Sequence, residues 1–142
     1  TRGEVMKRAE EWVEKQIPYC QCNGPAECCG NCPYCKDYRC DCSGYVSYAW
    51  GLPYGYTTYT LDEVAHEIKK DDLKLGDILL HKSEHVVLFG GWANSAKTAY
   101  HCYQEPGCHT SGPHHAYVSV MTYPFSSSPS SFIPYRYNHI ED

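Results

Sequence analysis

Asp41-Cys42-Ser43-Gly44-Tyr45-Val46 and the strand-like run His85-Val86-Val87-Leu88-Phe89 hold the residue types most able to do chemistry together in this chain. A cysteine attacks only as the thiolate, and a helix start and a neighbouring imidazole are two ways of lowering its pKa. Asp41 is placed as an N-cap, the apolar residues 45, 46, 49 and 50 suit a short buried helix, and Gly51 suits its C-cap. The Cys42 thiol then falls in the first helical turn, where free N–H groups favour a negative sulfur, and a lowered thiol pKa is expected. The competing readings are plain ones. Cys42 is then one more disulfide half, Asp41 only a helix cap, and His85 a strand histidine without a task.

These residues need a scaffold, and the periodicity supplies one. Val5, Ala9, Trp12, Val13 and Ile17 recur at helical spacing and predict an amphipathic helix from about Glu4 to Gln16, stopped by Pro18. A cysteine-rich loop at about 20–40 precedes the Cys42 helix. Thr60-Leu61-Asp62-Glu63 reads as a capping box, with Leu61, Val64, Ala65 and Ile68 on one face of a short helix ending at Lys69-Lys70. From Leu73 the pattern becomes that of strands, at 77–81, 85–90, 99–105, 116–121 and 134–137. Helices first and strands second predict an α+β domain with N-terminal helices packed on an antiparallel sheet of about five strands. At 142 residues this is one domain, spanning 1–142, with Ser126 to Ser131 as a solvated loop.

Composition narrows the partners. Twelve Lys and Arg against 17 Asp and Glu give a net charge of -5, so no basic field exists to hold nucleic acid. No apolar run is long enough to cross a membrane, and no membrane insertion is expected. The N-terminus has no signal-peptide pattern, so any export signal is expected to have been removed. Ten cysteines, seven of them between Tyr19 and Asp41, point to disulfides in an oxidising compartment and to a secreted protein. If Cys42 is free, nine remain, so at least one further cysteine lacks an intrachain partner. Cys102 and Cys108 could close a local loop. Zinc is the rival reading of Cys29, Cys32 and Cys35, or of Cys108, His109, His114 and His115, but no clean pair of C-x2-C knuckles is present. No metal and no cofactor are expected, and a monomer is.

Four ordered blocks resemble the NlpC-type cell-wall cysteine peptidases: Pro18-Tyr19, Asp41-Cys42-Ser43-Gly44-Tyr45-Val46, Leu73-Lys74-Leu75-Gly76-Asp77-Ile78 and His85-Val86-Val87-Leu88-Phe89. The resemblance covers about residues 5 to 137. The cysteine-rich loop is longer than the family's, and Leu75 stands where a proline is usual. The resemblance implies a papain-like NlpC-type fold with Cys42 as nucleophile and His85 as general base, then acid. It also implies an oxyanion site formed by Tyr19 and the Cys42 N–H, and substrate contacts from Asp41 and Ser43. The implied substrate is a peptidoglycan stem peptide, cut at a γ-D-glutamyl to diamino-acid amide bond. The alternatives are an N-acetylmuramoyl-L-alanine amidase, an acyltransferase, or an inactive secreted disulfide-rich binding module.

The family's third polar group, which orients the imidazole, has to be placed by register. A hairpin centred between Asn94 and Ser95 puts Gln104 opposite His85. A one-residue slip selects Glu105 or Tyr103, and His101 matches the family's common residue by type.

Overall fold

A computed structural model describes residues 1–20, 38–106, 115–125 and 132–141. Helix α1 spans Arg2–Glu14 and buries Val5, Ala9 and Trp12, the stripe that its spacing predicts, though it begins and ends two residues earlier than expected. Helix α2 spans Cys42–Trp50, and its apolar residues meet α1 along one seam. Trp12 stacks on Tyr45 and Tyr48 at 5.2 and 5.3 Å, and the Tyr45 hydroxyl donates to the Ala9 carbonyl at 2.7 Å. The C-terminal carbonyls of α2 are met by Arg8, whose Nε donates to Tyr48 O and Ala49 O. Gly51, at φ 73, turns the chain out of the helix in the left-handed conformation that glycine adopts without strain.

Six strands follow: β1 (Ala65–Glu67), β2 (Ile78–His81), β3 (His85–Trp92), β4 (Ala99–Gln104), β5 (Tyr117–Thr122) and β6 (Ile133–Tyr137). They form one antiparallel sheet in the order β1-β6-β2-β3-β4-β5, one strand more than the sequence suggests. The extra strand is β1, where a helix from Leu61 was expected. Leu61–Glu63 makes only a single 3-10 turn, Thr60 gives no capping bond, and Ala65, His66 and Glu67 pair with Tyr137, Arg136 and Tyr135. Four apolar positions were too few to fix a period, and pairing with an open sheet edge decided the outcome. A capping box does form in the chain, at Thr1 and Glu4.

The sheet is covered on both faces. One face packs Ile78, Leu80, Val86 and Leu88 under the two helices, with Cys42 at the margin of that cluster. The other packs Leu79, Val87, Phe89, Tyr100 and Cys102 against Leu73, Phe132 and a fringe that includes Trp92, Tyr123 and Phe125. This explains why Val86-Val87-Leu88-Phe89 is apolar without alternation, while edge strand β5 alternates half-buried with exposed. Asp77 pins the assembly: its fully buried carboxylate accepts from Arg2 at 3.1 Å, from Arg136 Nε at 3.1 Å and Nη2 at 2.9 Å, and from the Lys74 N–H at 2.8 Å.

Candidate functional site

Cys42 is the first residue of α2. Asp41, in extended conformation, caps the helix by accepting from the Gly44 N–H at 2.8 Å, and its other oxygen meets Arg39 Nη2 at 2.7 Å. Ser43 Oγ turns back to the same cap at 3.4 Å. Gly44 is required here by close approach, since a Cβ would lie 1.7 Å from the Arg39 carbonyl oxygen. The cap therefore fixes both the direction of α2 and the place of the sulfur.

That sulfur is free, and the backbone N–H groups of Val86, Ser43 and Cys42 itself favour its thiolate electrostatically. Val86 follows His85 directly on β3. The sheet thus places the His85 backbone next to that N–H. Asp41 links the two groups electrostatically as well, raising the pKa of both Cys42 and His85. Among the described residues, no hydrogen bond joins the sulfur to the imidazole.

The expected ionisation is not what the site holds. Burial pushes the Cys42 thiol up to about 12, the Asp41 charge adds to the rise, and the backbone N–H groups of Val86, Ser43 and Cys42 only partly offset it. The helix start was expected to lower this pKa, but desolvation and a carboxylate one residue away outweigh it. His85 moves the opposite way: burial pulls its pKa below the usual imidazole value, opposed by Gln104, Asp41 and Glu84. The resting pair is therefore neutral thiol and neutral imidazole.

Gln104 does meet His85, with Oε1 2.9 Å from the ring Nε2, but not by the register expected. Leu88 faces Tyr103 and Phe89 faces Cys102, two residues away from the predicted pairing, and a bulge separates Phe89 from Trp92. Gly91, at φ 105, lies within that bulge. A two-residue displacement keeps every side chain on its face, so Gln104 reaches His85 diagonally. The other candidates sit elsewhere. His101 is exposed on the strand face away from Gln104, Tyr103 donates to Glu10 on α1 at 2.9 Å, and Glu105 is fully buried with neither carboxylate oxygen hydrogen-bonded. Burial, then the Asp41 charge, pushes Glu105 up to about 10, so it is a neutral acid at pH 7.

Sequence reasoning missed Tyr117. It pairs with Gln104 across β4 and β5, and the Gln104 Nε2 donates to its hydroxyl at 3.3 Å. With the amide nitrogen turned to Tyr117, the amide oxygen faces the imidazole, so the ring proton sits on Nε2 and Nδ1 keeps its lone pair. The β4–β5 register could not be read because the long connecting segment, 105 to 116, holds two separate turn signals, Pro106-Gly107 and Ser111-Gly112-Pro113, and so selects no single hairpin. Also missed were Phe125 and Phe132, whose rings meet that of His85 edge-on at 5.6 and 6.5 Å.

Tyr19 is half-buried between two isolated bridges, Pro18 to His115 and Cys20 to Cys40. The second bridge brings its segment beside the residues that lead into Cys42. Cys20 and Cys40 are each disulfide-bonded, whereas Cys102 is free and buried, which excludes the loop closure with Cys108. The remaining cysteines and the candidate zinc ligands, apart from His115, lie outside the described residues. Among the described residues, no cluster suited to a metal ion is found.

The fold and site together define an α+β protein with a free cysteine at a helix start and a strand-borne, amide-held histidine, both within the electrostatic reach of Asp41. No protein-family model matches the chain, and no curated protein matches it.

Proposed function

We propose that the chain is a secreted, papain-like cysteine hydrolase of the NlpC type that cuts amide bonds in peptidoglycan stem peptides. One observation carries this: the free Cys42 sulfur at the start of α2 is favoured as thiolate by the N–H of Val86, the chain neighbour of a histidine whose Nε2 is held by Gln104. The four sequence blocks supply the substrate class, with the γ-D-glutamyl to diamino-acid bond as the cut. His85 Nδ1 takes the thiol proton as the sulfur adds to the carbonyl carbon. The Cys42 N–H and Tyr19 hydroxyl stabilise the oxyanion, and the imidazolium then protonates the leaving amine. Water, deprotonated at the same nitrogen, releases the acyl group and restores the thiol. Asp41 and Ser43 contact the peptide on the acyl side.

The test is mass spectrometry of fragments released from purified peptidoglycan. Wild type should release stem-peptide fragments with new D-glutamyl termini, and Cys42→Ala and His85→Ala should release none while remaining folded. Fragments from Cys42→Ala would refute the mechanism, and a new terminus at the sugar-peptide bond would move the chain to the amidase alternative. The raised thiol pKa favours one second reading, a binding module without catalysis. That reading requires wild type to release nothing.

A further inference from the structure

A cavity of about 520 Å³ is lined by Tyr59, Leu80, His81, Lys82, Ser83, Ile133 and Tyr135. Its position follows from strand pairing. Leu80 pairs with Val86 on one side and with Ile133 on the other, and directly paired residues share a face. Val86, Leu80 and Tyr135 belong to the cluster against which Cys42 packs. The cavity therefore lies on the sulfur's side of the sheet, one to two strands from Val86, or about 5 to 10 Å. An extended peptide covers that in about two or three residues.

Its polar groups are already partnered. Lys82 Nζ is held at 2.8 Å by Asp62, His81 Nε2 lies 3.7 Å from Glu84 and its Nδ1 3.2 Å from Ser83 Oγ, and among the described residues no carboxylate lines the cavity. The rest is an aliphatic floor from Leu80 and Ile133 and aromatic walls from Tyr135 and the 63% exposed Tyr59, with the His81–Ser83 pair at the lining's polar end. The volume is that of a small-ligand site, and such lining selects an apolar group. Tyr59 is presented by the loop after α2, which Ser47 anchors by accepting from the Tyr56 N–H at 2.9 Å. The wall and the nucleophile thus hang from the same helix.

We propose that this cavity is a specificity subsite that takes an uncharged, apolar side chain of the substrate, about two or three residues from the bond cut at Cys42. The proposal rests on the amide-hydrolase reading for its substrate but not for its binding test. N-acetyl-phenylalanine amide, titrated into Cys42→Ala protein and followed by NMR, should shift the Leu80 and Ile133 methyl signals. Binding should be about tenfold weaker in Tyr59→Ala, an exposed position where truncation leaves the core intact. N-acetylglucosamine, titrated in parallel, should leave those signals in place. No shift with the amide, equal affinity in Tyr59→Ala, or saturation by the sugar instead would overturn the subsite. A second arm digests peptide pools with wild type. Tyr59→Ala should lose about tenfold or more in kcat/KM on peptides with an apolar residue at that position and little on those with glycine. Wild type that cleaves nothing but whose Cys42→Ala form binds the amide would sink the hydrolase and leave the subsite standing.

Discussion

Cys42 should alkylate slowly at neutral pH, and neutralising Asp41 should speed it. With the thiol at about 12, the thiolate is one part in about 100,000 at pH 7, against a few per cent for an unperturbed thiol near 8.5. That is a deficit of about 3.5 decades. A more basic thiolate is intrinsically more nucleophilic, with a Brønsted slope of about 0.4 to 0.5, which returns about 1.5 decades. Iodoacetamide should therefore modify Cys42 about 100-fold more slowly than a model peptide thiol, with a rate that climbs about tenfold per pH unit through pH 9. The buried Cys102, also pushed up to about 12, is separated by peptide mapping. Asp41→Asn keeps a competent N-cap while removing the charge that raises the thiol, so it should label several-fold faster at pH 7. A wild-type rate matching or exceeding that of the peptide thiol, or a plateau below pH 8, would mean a resting thiolate-imidazolium pair. Desolvation would then not be the dominant influence on this sulfur.

Two other substitutions probe the surroundings of the pair. Glu105 has a folded pKa of about 10 against 4.5 in the unfolded chain, so the native state binds the extra proton and stability falls as pH rises between those values. From pH 5 to pH 8 the loss is about 4 kcal/mol, and Glu105→Gln should abolish that slope in urea unfolding; an unchanged pH dependence would show that the carboxyl is solvated. Tyr117→Phe removes the acceptor that holds the Gln104 amide, a bond worth about 1 kcal/mol. It should lower kcat a few-fold with KM unchanged and perturb the His85 Nε2–H signal in NMR, and an unmoved signal would deny Tyr117 a positioning role.

Long-period features were legible in the sequence because they rest on many residues. The α1 stripe, the α2 cap and C-cap glycine, and the apolar β3 each have several positions that agree, and each formed within two residues of its predicted bounds. The region from Leu61 to Ile68 had four apolar residues and no such redundancy, so its fate was decided by the free edge of β6. The β3–β4 register depended on a bulge at Gly90-Gly91, which a symmetric hairpin cannot contain. Gln104 reached His85 all the same because the error was an even number of residues. Least legible was ionisation. Helix position is visible in sequence, but the burial that set Cys42 and Glu105 is a property of packing.

The neutral pair sets a definite demand on substrate. Moving the proton from a thiol at about 12 to an imidazole below 6.5 costs at least about 7 kcal/mol, at 1.36 kcal/mol per pKa unit. A turnover of about 10 per second corresponds to a barrier of about 16 kcal/mol, so about 9 kcal/mol would be left for bond making and breaking. Asp41 acts on both ends of this transfer. It opposes the thiolate and favours the imidazolium, and these influences partly cancel within the pair. Gln104, by contrast, favours the protonated ring without touching the sulfur. An amide oxygen does so less strongly than a carboxylate would, and the buried Glu105 carboxyl is protonated. Charge separation at rest is thus opposed mainly by the burial of both groups, which the backbone N–H groups at the sulfur and Gln104, Asp41 and Glu84 at the imidazole offset only in part. In the proposed mechanism, proton transfer therefore belongs to the moment of attack, when the carbonyl carbon accepts the sulfur's electron pair and the negative charge passes to the oxyanion.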